Sequence, residues 1–368
     1  MTSSEYSKAG IDYDVLDESK RAAIRNAEAT SHLLSTHHAG KVIEESRGAS
    51  AFVLELNGQQ LAFVVEGLGT KSILARQWLE QTGEDRYADV AIDGVAAIVN
   101  DVASVGALPV VVNAYFATGA SDWHAQTGGA ITSLLEGWRR GCELAQAAWG
   151  GGESPALPDL VSPQDVEIAG SSIGTIPPEW GPLLGDDLRP GHSIVLIDSS
   201  GLHANGATLA RSVAKKLDDG LRTPMPDGTR FGDALLAPSV IYVPLVAELR
   251  AKGIKPSYLA HITGHGLRKL MRAPADLVYV VDDLPPVPPV LEFLADQAGM
   301  SERDAYGTFN MGAGWAVYVE PDQAGAVVEA AAATGMTARI AGHVEQGDRA
   351  VELPSKGIAY RGDELELG

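Results

Sequence analysis

The sequence has little cysteine and no long apolar run, and these absences exclude several classes of protein. Its 368 residues include a single cysteine, Cys142, so the chain cannot contain a disulfide framework or a cysteine-rich zinc site. No apolar run approaches the roughly 20 residues that a membrane-spanning helix needs. Residues Met1–Tyr6 lack the basic and apolar regions of a signal peptide. We therefore expect a cytoplasmic protein without a membrane partner.

Positive charge is also scarce. The chain has 28 lysines and arginines against 48 aspartates and glutamates, a formal net charge of −20. A phosphate backbone requires a basic surface, so this balance argues against nucleic acid as a partner. An acidic chain suits a protein that gathers carboxylates around metal ions, although most of these charges belong to solvated surface.

Two familiar phosphate-binding patterns, Walker A and the dinucleotide fingerprint, are missing as well. The glycine-bearing stretch that is present follows a predicted strand, Leu61–Val65, and reads Glu66-Gly-Leu-Gly-Thr-Lys71. Glycines let backbone N–H groups approach a ligand, Lys71 could neutralise phosphate, and Glu66 could hold Mg²⁺. An ordinary tight turn is the alternative that this stretch alone leaves open.

A predicted helix from Tyr87 to Val105 carries three polar candidates among apolar neighbours. Asp93 and Asn100 are seven residues apart and therefore share one face, and Asp101 follows. A buried carboxylate is costly unless it is paired or binds a metal. Metal coordination is one interpretation, and capping with exposure at one edge is the other. A glycine turn at Trp149–Ser154 supplies a further carboxylate, Glu153.

The length predicts about two domains. Predicted strands alternate with helices, which indicates a mixed α/β or α+β fold. Residues 176–191 are dense in proline and glycine and are typical of a linker. We assign residues 1–175 to an amino-terminal domain, 192–355 to a carboxy-terminal α+β domain and 356–368 to a tail.

The second half repeats a strand, a glycine-bearing loop and a helix. The strand Ser193–Ile197 leads through a loop to a helix that begins at Ala207, an arrangement suited to anions. His203 in this loop could act as an acid, a base or a phosphate donor, or could be exposed and idle. His261 and His265 could form a metal pair, but the signal is weak. We also predict a helix over Ser239–Lys252 and a strand over Tyr306–Trp315.

The ordered motifs resemble those of the aminoimidazole ribonucleotide synthetase family, the phosphoribosylformylglycinamidine cyclo-ligases. The resemblance covers nearly the whole chain. Its motifs are Tyr6-Ser-Lys-Ala-Gly-Ile-Asp12, Glu66-Gly-Leu-Gly-Thr-Lys71, Asn100-Asp101, Gly151-Gly-Glu153, Ser200-Gly-Leu-His-Ala-Asn-Gly206, His261-Ile-Thr-Gly264 and Thr308-Phe-Asn-Met-Gly312.

The resemblance implies a homodimer whose amino-terminal domains share a β-barrel between subunits. It also implies ATP and Mg²⁺ as cofactors, a nucleotide as substrate, and ring closure after phosphorylation of a formyl oxygen. His203 and Lys71 are the expected catalytic residues. The expected metal ligands are Glu66, Asp93, Asn100, Asp101 and Glu153. The expected phosphate-binding residues are Gly67, Gly69, Thr70 and Lys71. The expected substrate-binding residues are Ser199, Ser200, Gly201, His203, Asn205, Gly206, His261 and Thr263.

The chain departs from the family pattern at several positions. Glu66 replaces an aspartate, a glycine-rich segment is reduced to Arg47–Phe52, Ala204 replaces a serine, and His265 replaces a glycine. These changes mark a divergent member. They leave two alternatives open: a related ATP-dependent kinase or synthetase acting on another substrate, and a non-catalytic nucleotide-binding protein.

Overall fold

The computed structural model describes residues 22–123 and 129–365. The motif Tyr6–Asp12 lies outside these residues. The described chain contains two mixed β-sheets, one from each half, with helices packed against them. The predicted α+β fold class is therefore confirmed.

The first sheet has the order β1-β2-β3-β6-β4-β5, antiparallel except for the parallel pair β4 and β5. Asn57 and Gly58 both have positive φ in the tight turn between β2 and β3, as their sequence predicts. The strands are β1 Gly40–Val42, β2 Phe52–Leu56, β3 Gln59–Gly67, β4 Leu108–Thr118, β5 Ala148–Glu153 and β6 Val166–Thr175.

Helices cover one face of this sheet. They are α1 His32–His37, α2 Lys71–Thr82, α3 Tyr87–Ser104 and α4 Ala130–Leu144, and residues 22–28 are also helical. Helix α3 is buried almost throughout because it lies between the sheet and α4. Gly94 allows this close packing, since a Cβ there would lie 3.0 Å from Ile168 and 3.1 Å from Trp138.

The opposite face of the first sheet is apolar but open. The side chain of Val65 is 67% exposed and that of Phe63 is 39% exposed, while their neighbours Ala62 and Val64 are buried. Strand alternation places the two exposed residues together on the outer face.

The second sheet has the order β13-β12-β9-β11-β7-β10-β8, antiparallel except for the pair β12 and β9. Its strands are β7 Ser193–Asp198, β8 Tyr258–His261, β9 Leu277–Val281, β10 Ala313–Val319, β11 Ala338–Gln346, β12 Ala350–Leu353 and β13 Ile358–Arg361. The helices of this half are α5 Ala207–Ala214, α6 Phe231–Leu235, α7 Val243–Ala251, α8 Pro289–Gln297, α9 Glu302–Tyr306 and α10 Ala324–Ala333. In the part of the chain that the structure describes, no helix combines the length and apolarity needed to cross a bilayer.

Several predicted elements were wrong in extent or type. The glycines expected to form a turn before Glu153 instead extend along β4 as edge strand β5. The strand expected from Tyr306 starts at Ala313, because Met311 and Gly312 adopt positive φ in a turn. Residues assigned to the tail form β13, which pairs with β12.

Candidate active site

A cleft of about 110 Å³ lies where the two halves meet. Its walls come from the end of β3, one face of α3 and the loops that follow β7 and β8. The described residues that line it are Glu66, Gly67, Leu68, Ala96, Ala97, Asn100, Asp101, His203, Ala204, Asn205, Ser239, His261 and Thr263. The fold thus brings together eight of the predicted site residues, which are distant in the sequence.

Asp101 and His261 form a pair across the two halves. Asp101 Oδ1 lies 2.7 Å from His261 Nδ1. A carboxylate accepts hydrogen bonds, so Nδ1 carries the proton in the neutral imidazole and Nε2 remains an acceptor. The pair fixes the orientation of the His261 ring and leaves a basic nitrogen on a residue that lines the cleft.

Glu66 supplies a second carboxylate to the same cleft. Partial desolvation is the main cause that raises its pKa, and the nearby negative charge of Asp101 raises it further. The N–H of Gly67 and the charge of Lys269 act in the opposite direction with smaller effect. Two carboxylates that repel one another in this way form a favourable environment for a cation.

Glu66 and Asp101 fit Mg²⁺ in donor chemistry. Mg²⁺ is commonly held by one or two carboxylates together with waters and substrate phosphates. Across residues 22–123 and 129–365, no group of three or more histidine, cysteine, aspartate or glutamate side chains could hold a metal. The arrangement is therefore suited to a cation that arrives with a phosphorylated ligand and not to a complete protein cage.

His203 is held as a neutral hydrogen-bond donor. Its Nε2 accepts the N–H of Ser200 at 3.3 Å, so the ring proton must lie on Nδ1. Nδ1 is buried and has no hydrogen-bond partner. Burial, followed by the charges of His261 and Lys71, lowers the pKa of His203 to about 3. At neutral pH the residue can donate from Nδ1 but carries no proton on Nε2 to transfer.

The loop that presents His203 is anchored by polar contacts. Asn310 accepts the hydroxyl of Ser199 at 2.7 Å and donates to the carbonyl of Gly201 at 2.8 Å. The hydroxyl of Ser200 donates to the carbonyl of Pro238 at 2.6 Å. Ser199, Ser200 and Gly201 shape the loop and are not among the residues that line the cleft, so their contact with substrate stays a prediction.

Gly206 has a similar structural role. Its φ is +103°, and a Cβ would lie 2.8 Å from Leu202 and from Phe309. The position therefore requires glycine to end the loop and begin α5. Gly206 is not among the residues that line the cleft either, so its contact with substrate also stays a prediction.

Lys71 and Asp93 form a buried ion pair. Neither side chain has exposed area, and Lys71 Nζ lies 2.7 Å from Asp93 Oδ2. Asp93 Oδ1 also accepts the backbone N–H of Ser239 at 2.8 Å and its hydroxyl. Each charge neutralises the other, and neither residue is among those that line the cleft; the predicted roles of Lys71 in catalysis and phosphate binding, and of Asp93 as a metal ligand, stay predictions.

Asn100 also binds the backbone of the segment before α7. Its amide donates to the carbonyl of Val240 at 2.9 Å and its oxygen accepts the N–H of Tyr242 at 2.8 Å. Asp93 and Asn100 thus share one face of α3, as predicted, but that face binds the backbone of residues 239–242. Asn100 lines the cleft while its amide nitrogen and oxygen both bond to backbone groups, and its role as a metal ligand stays a prediction.

Sequence reasoning missed this segment because it predicted a helix from Ser239. Helix α7 begins at Val243, and Pro244 in its first turn is the signal that marks this start. Residues 238–242 have no regular secondary structure, and the backbone groups of Ser239, Val240 and Tyr242 bond to side chains of α3. Tyr242 then packs under His203 and donates to the carbonyl of Asp198 at 3.0 Å.

The remaining predicted residues are more dispersed. Gly67 lines the cleft, whereas Gly69, with φ +71°, faces open space. The hydroxyl of Thr70 lies 2.9 Å from that of Thr208 on α5 and joins the two halves. Glu153 is exposed at the end of edge strand β5 and is not among the residues that line the cleft.

Family models match both halves of the chain. A model described as AIR synthase related protein, N-terminal domain, matches residues 48–176, and one described as AIR synthase related protein, C-terminal domain, matches residues 189–353. Together the two models span most of the chain and both sheets.

Curated relatives agree with these models. A phosphoribosylformylglycinamidine cyclo-ligase of Lachnospira eligens is 31% identical over 95% of this chain and 99% of its own length. A protein of the same name from Methanothermobacter thermautotrophicus is 33% identical over 95% of this chain and 96% of its own.

Solved structures share the fold at lower identity. The E. coli hydrogenase maturation protein HypE is 18% identical, with a TM-score of 0.57 over 84% of this chain and 85% of that chain. AaThiL complexed with AMPPCP and TMP is 16% identical, with a TM-score of 0.57 over 85% of this chain and 90% of that chain. These similarities concern architecture alone.

Proposed function

Because the chain belongs to the AIR synthase family of phosphoribosylformylglycinamidine cyclo-ligases, we propose that it converts formylglycinamidine ribonucleotide and ATP into aminoimidazole ribonucleotide, ADP and phosphate. The step belongs to purine biosynthesis, and we place it in the cytoplasm. One observation carries the proposal: Glu66, Asp101, His203 and His261 meet in one cleft between the halves.

In the proposed reaction the formyl oxygen first attacks the terminal phosphorus of ATP and ADP leaves. The amidine nitrogen then attacks the activated carbon and loses a proton. The C–O bond breaks, phosphate leaves with the oxygen, and the imidazole ring closes. Phosphoryl transfer depends mainly on positioning and charge neutralisation, so a polar cleft lined by carboxylates and histidines suits it.

Two histidines have different roles in this proposal. His203 donates from Nδ1 to an oxygen of the substrate once substrate binding uncovers this buried atom, which stabilises negative charge there without a change in protonation. His261, oriented by Asp101, accepts the amidine proton at Nε2. The different roles follow from the partners of each ring: a backbone N–H for His203 and a carboxylate for His261.

Glu66 and the second oxygen of Asp101 would hold Mg²⁺. The ion, when bound, would neutralise phosphate charge during transfer. The N–H groups of the Gly67–Thr70 turn are the proposed contacts for nucleotide phosphates, since Gly69 leaves the turn uncovered. Lys71 follows this turn at the start of α2 and is held by its pair with Asp93.

We further propose that the open face of the first sheet is buried in a homodimer. Val65 and Phe63 are large apolar side chains with substantial exposure on that face, and such a patch favours association. Sedimentation should give a dimer for the native chain and a monomer for Val65→Asp. A native monomer at micromolar concentration would remove this part of the proposal.

The test of the activity is an assay with the purified chain, ATP, Mg²⁺ and formylglycinamidine ribonucleotide. Aminoimidazole ribonucleotide should form with one ADP per product. ATP consumption without this product, together with phosphorylation of another acceptor, would instead support a related kinase. That second candidate is favoured by Glu66, whose longer side chain differs from the family aspartate. Absence of ATP binding by calorimetry would support a non-catalytic protein.

A further inference from the structure

A second cleft, of about 520 Å³, shares no lining residue with the candidate active site. It lies between residues 45–50, the segment 183–184 and parts of the second half. Its described lining is Glu45, Arg47, Gly48, Ala49, Ser50, Ser104, Val105, Leu183, Leu184, Tyr258, Arg272, Pro274, Arg349, Gly362, Asp363 and Leu365. This volume is within the range of small-molecule sites.

Three arginines from distant parts of an acidic chain converge on this cleft. Arg47 is neutralised by Glu44, with Nε 2.6 Å from the carboxylate. Arg272 and Arg349 form no ion pair with any carboxylate in the described chain. The acidic side chains that line the cleft, Glu45 and Asp363, are not within 4.0 Å of either guanidinium. Two positive charges that have no ion-pair partner among the described residues are therefore held in one concave site.

The two unpaired guanidinium groups are fixed by neutral groups. Arg272 donates to the hydroxyl of Ser50 at 2.7 Å and to the carbonyl of Gly48 at 2.9 Å, while its Nε is buried without a partner. Arg349 donates to the carbonyl of Gly362 at 3.1 Å. Each guanidinium has five N–H donors, so both retain donors for a ligand after these contacts.

Part of the remaining wall of the cleft is apolar. Leu183, Leu184, Pro274 and Leu365 line it together with Tyr258, beside the polar residues Glu45, Ser104 and Asp363. A site that combines guanidinium groups with an apolar wall suits a ligand with a phosphate at one end and an organic ring at the other. Arginine recognises phosphate by paired, charge-assisted hydrogen bonds, which an apolar surface alone could not supply.

From this arrangement we propose that the cleft binds a small phosphomonoester that carries an organic ring. Arg272 and Arg349 bind the phosphate, and the wall formed by Leu183, Leu184 and Tyr258 receives the ring. The site is separate from the proposed catalytic cleft, so its occupancy is independent of whether that cleft performs ring closure.

The experiment uses AMP as the probe, with isothermal titration calorimetry on the full chain. Arg349→Gln should weaken AMP binding at this site by about tenfold or more, because a charge-assisted hydrogen bond is lost. Arg272→Lys, which keeps the charge but loses the planar fork, should weaken it as well. Adenosine, which lacks the phosphate, should not bind there.

The matched control is Arg140→Gln, since Arg140 is exposed on α4 and lies outside the cleft. Its AMP affinity should equal that of the native chain. Thermal unfolding without ligand shows whether each variant is folded, and Arg349→Gln is the milder change because it removes one contact to a carbonyl. No AMP binding at millimolar concentration, or equal affinity in folded Arg349→Gln and the control, would overturn the proposal.

Discussion

Asp93 and Asp101 stand eight residues apart on the same helix, α3, yet their surroundings differ completely. Asp93 has no exposed area and is enclosed by Lys71 and Ser239. The side chain of Asp101 is 20% exposed and pairs with His261 at the edge of the cleft. The role of each carboxylate therefore depends on the element that packs against it. The face of α3 that carries Asp93 stabilises the fold, and the face that carries Asp101 is open to the cleft.

The largest expected effect is on stability at the buried pair. Asp93→Asn leaves Lys71 charged and buried without its partner, which should lower the free energy of unfolding by about 3–5 kcal/mol. Urea denaturation at pH 7 measures the loss. The double variant Lys71→Met with Asp93→Leu should lose less than Asp93→Asn, because no unpaired charge remains. An Asp93→Asn protein as stable as the native chain would contradict the conclusion that Asp93 stabilises the fold.

The second effect is on catalysis at the other carboxylate. Asp101→Asn should reduce kcat roughly 100-fold, because the amide neither holds a cation nor stabilises a protonated His261. Its free energy of unfolding should change by no more than about 1 kcal/mol, since Asp101 is partly exposed and the amide oxygen still accepts from Nδ1. Steady-state assays and urea denaturation together test this separation. Full turnover in the variant would contradict it.

The third effect concerns the pH dependence of stability. The pKa of His203 is about 3 in the folded chain and about 6.5 when unfolded. Between these values the unfolded chain binds a proton that the folded chain does not. The contribution of His203 to the free energy of unfolding is therefore fully present above pH 6.5. It decreases as the pH falls below that value, by at most about 1.4 kcal/mol per pH unit.

The slope should be smaller in His203→Asn, measured by denaturation between pH 6.5 and 4. His38→Asn is the control, because His38 is exposed on the surface, and its slope should match that of the native chain. If His203→Asn and His38→Asn show the same slope, His203 is not a buried neutral group.

The smallest effect on stability is expected at Glu153. This carboxylate is exposed and, among the described residues, its hydrogen bond is to the N–H of Ser154, at 3.2 Å, so Glu153→Gln should change the free energy of unfolding by less than about 0.5 kcal/mol. The turnover of the same variant then shows whether Glu153 takes part in the reaction. A large loss at unchanged stability would require a second chain to bring Glu153 to the cleft, and unchanged turnover would exclude it from the metal site.

The sequence predicted the fold class and most elements well, because their signals are local. The Asn57-Gly58 turn, the apolar face of α3 and the strand before Glu66 depend on neighbouring residues. Elements whose type depends on remote partners were harder to predict. The glycines before Glu153 form a strand because β4 offers an edge to pair with, and nothing local indicates that edge.

The candidate site shows the same difference between what local sequence signals predict and what remote partners decide. Sequence motifs, and the family that they resemble, selected Glu66, Asp101, His203 and His261, which do line one cleft. They could not show that Lys71 turns inward to Asp93, because that pair depends on the segment before α7. Nor could they show that Arg272 and Arg349 converge, since these residues carry no motif.

By itself, the sequence determined most of the segments that become helices and strands, the acidic character of the chain and the polar residues available to a site. These properties follow from side-chain periodicity, glycine and proline positions and charge, which act over a few residues. Only the tertiary structure decided which of those polar groups neutralise one another and which remain free. That choice depends on burial and on distances between residues far apart in the chain, because a charge removed from water must find a partner nearby.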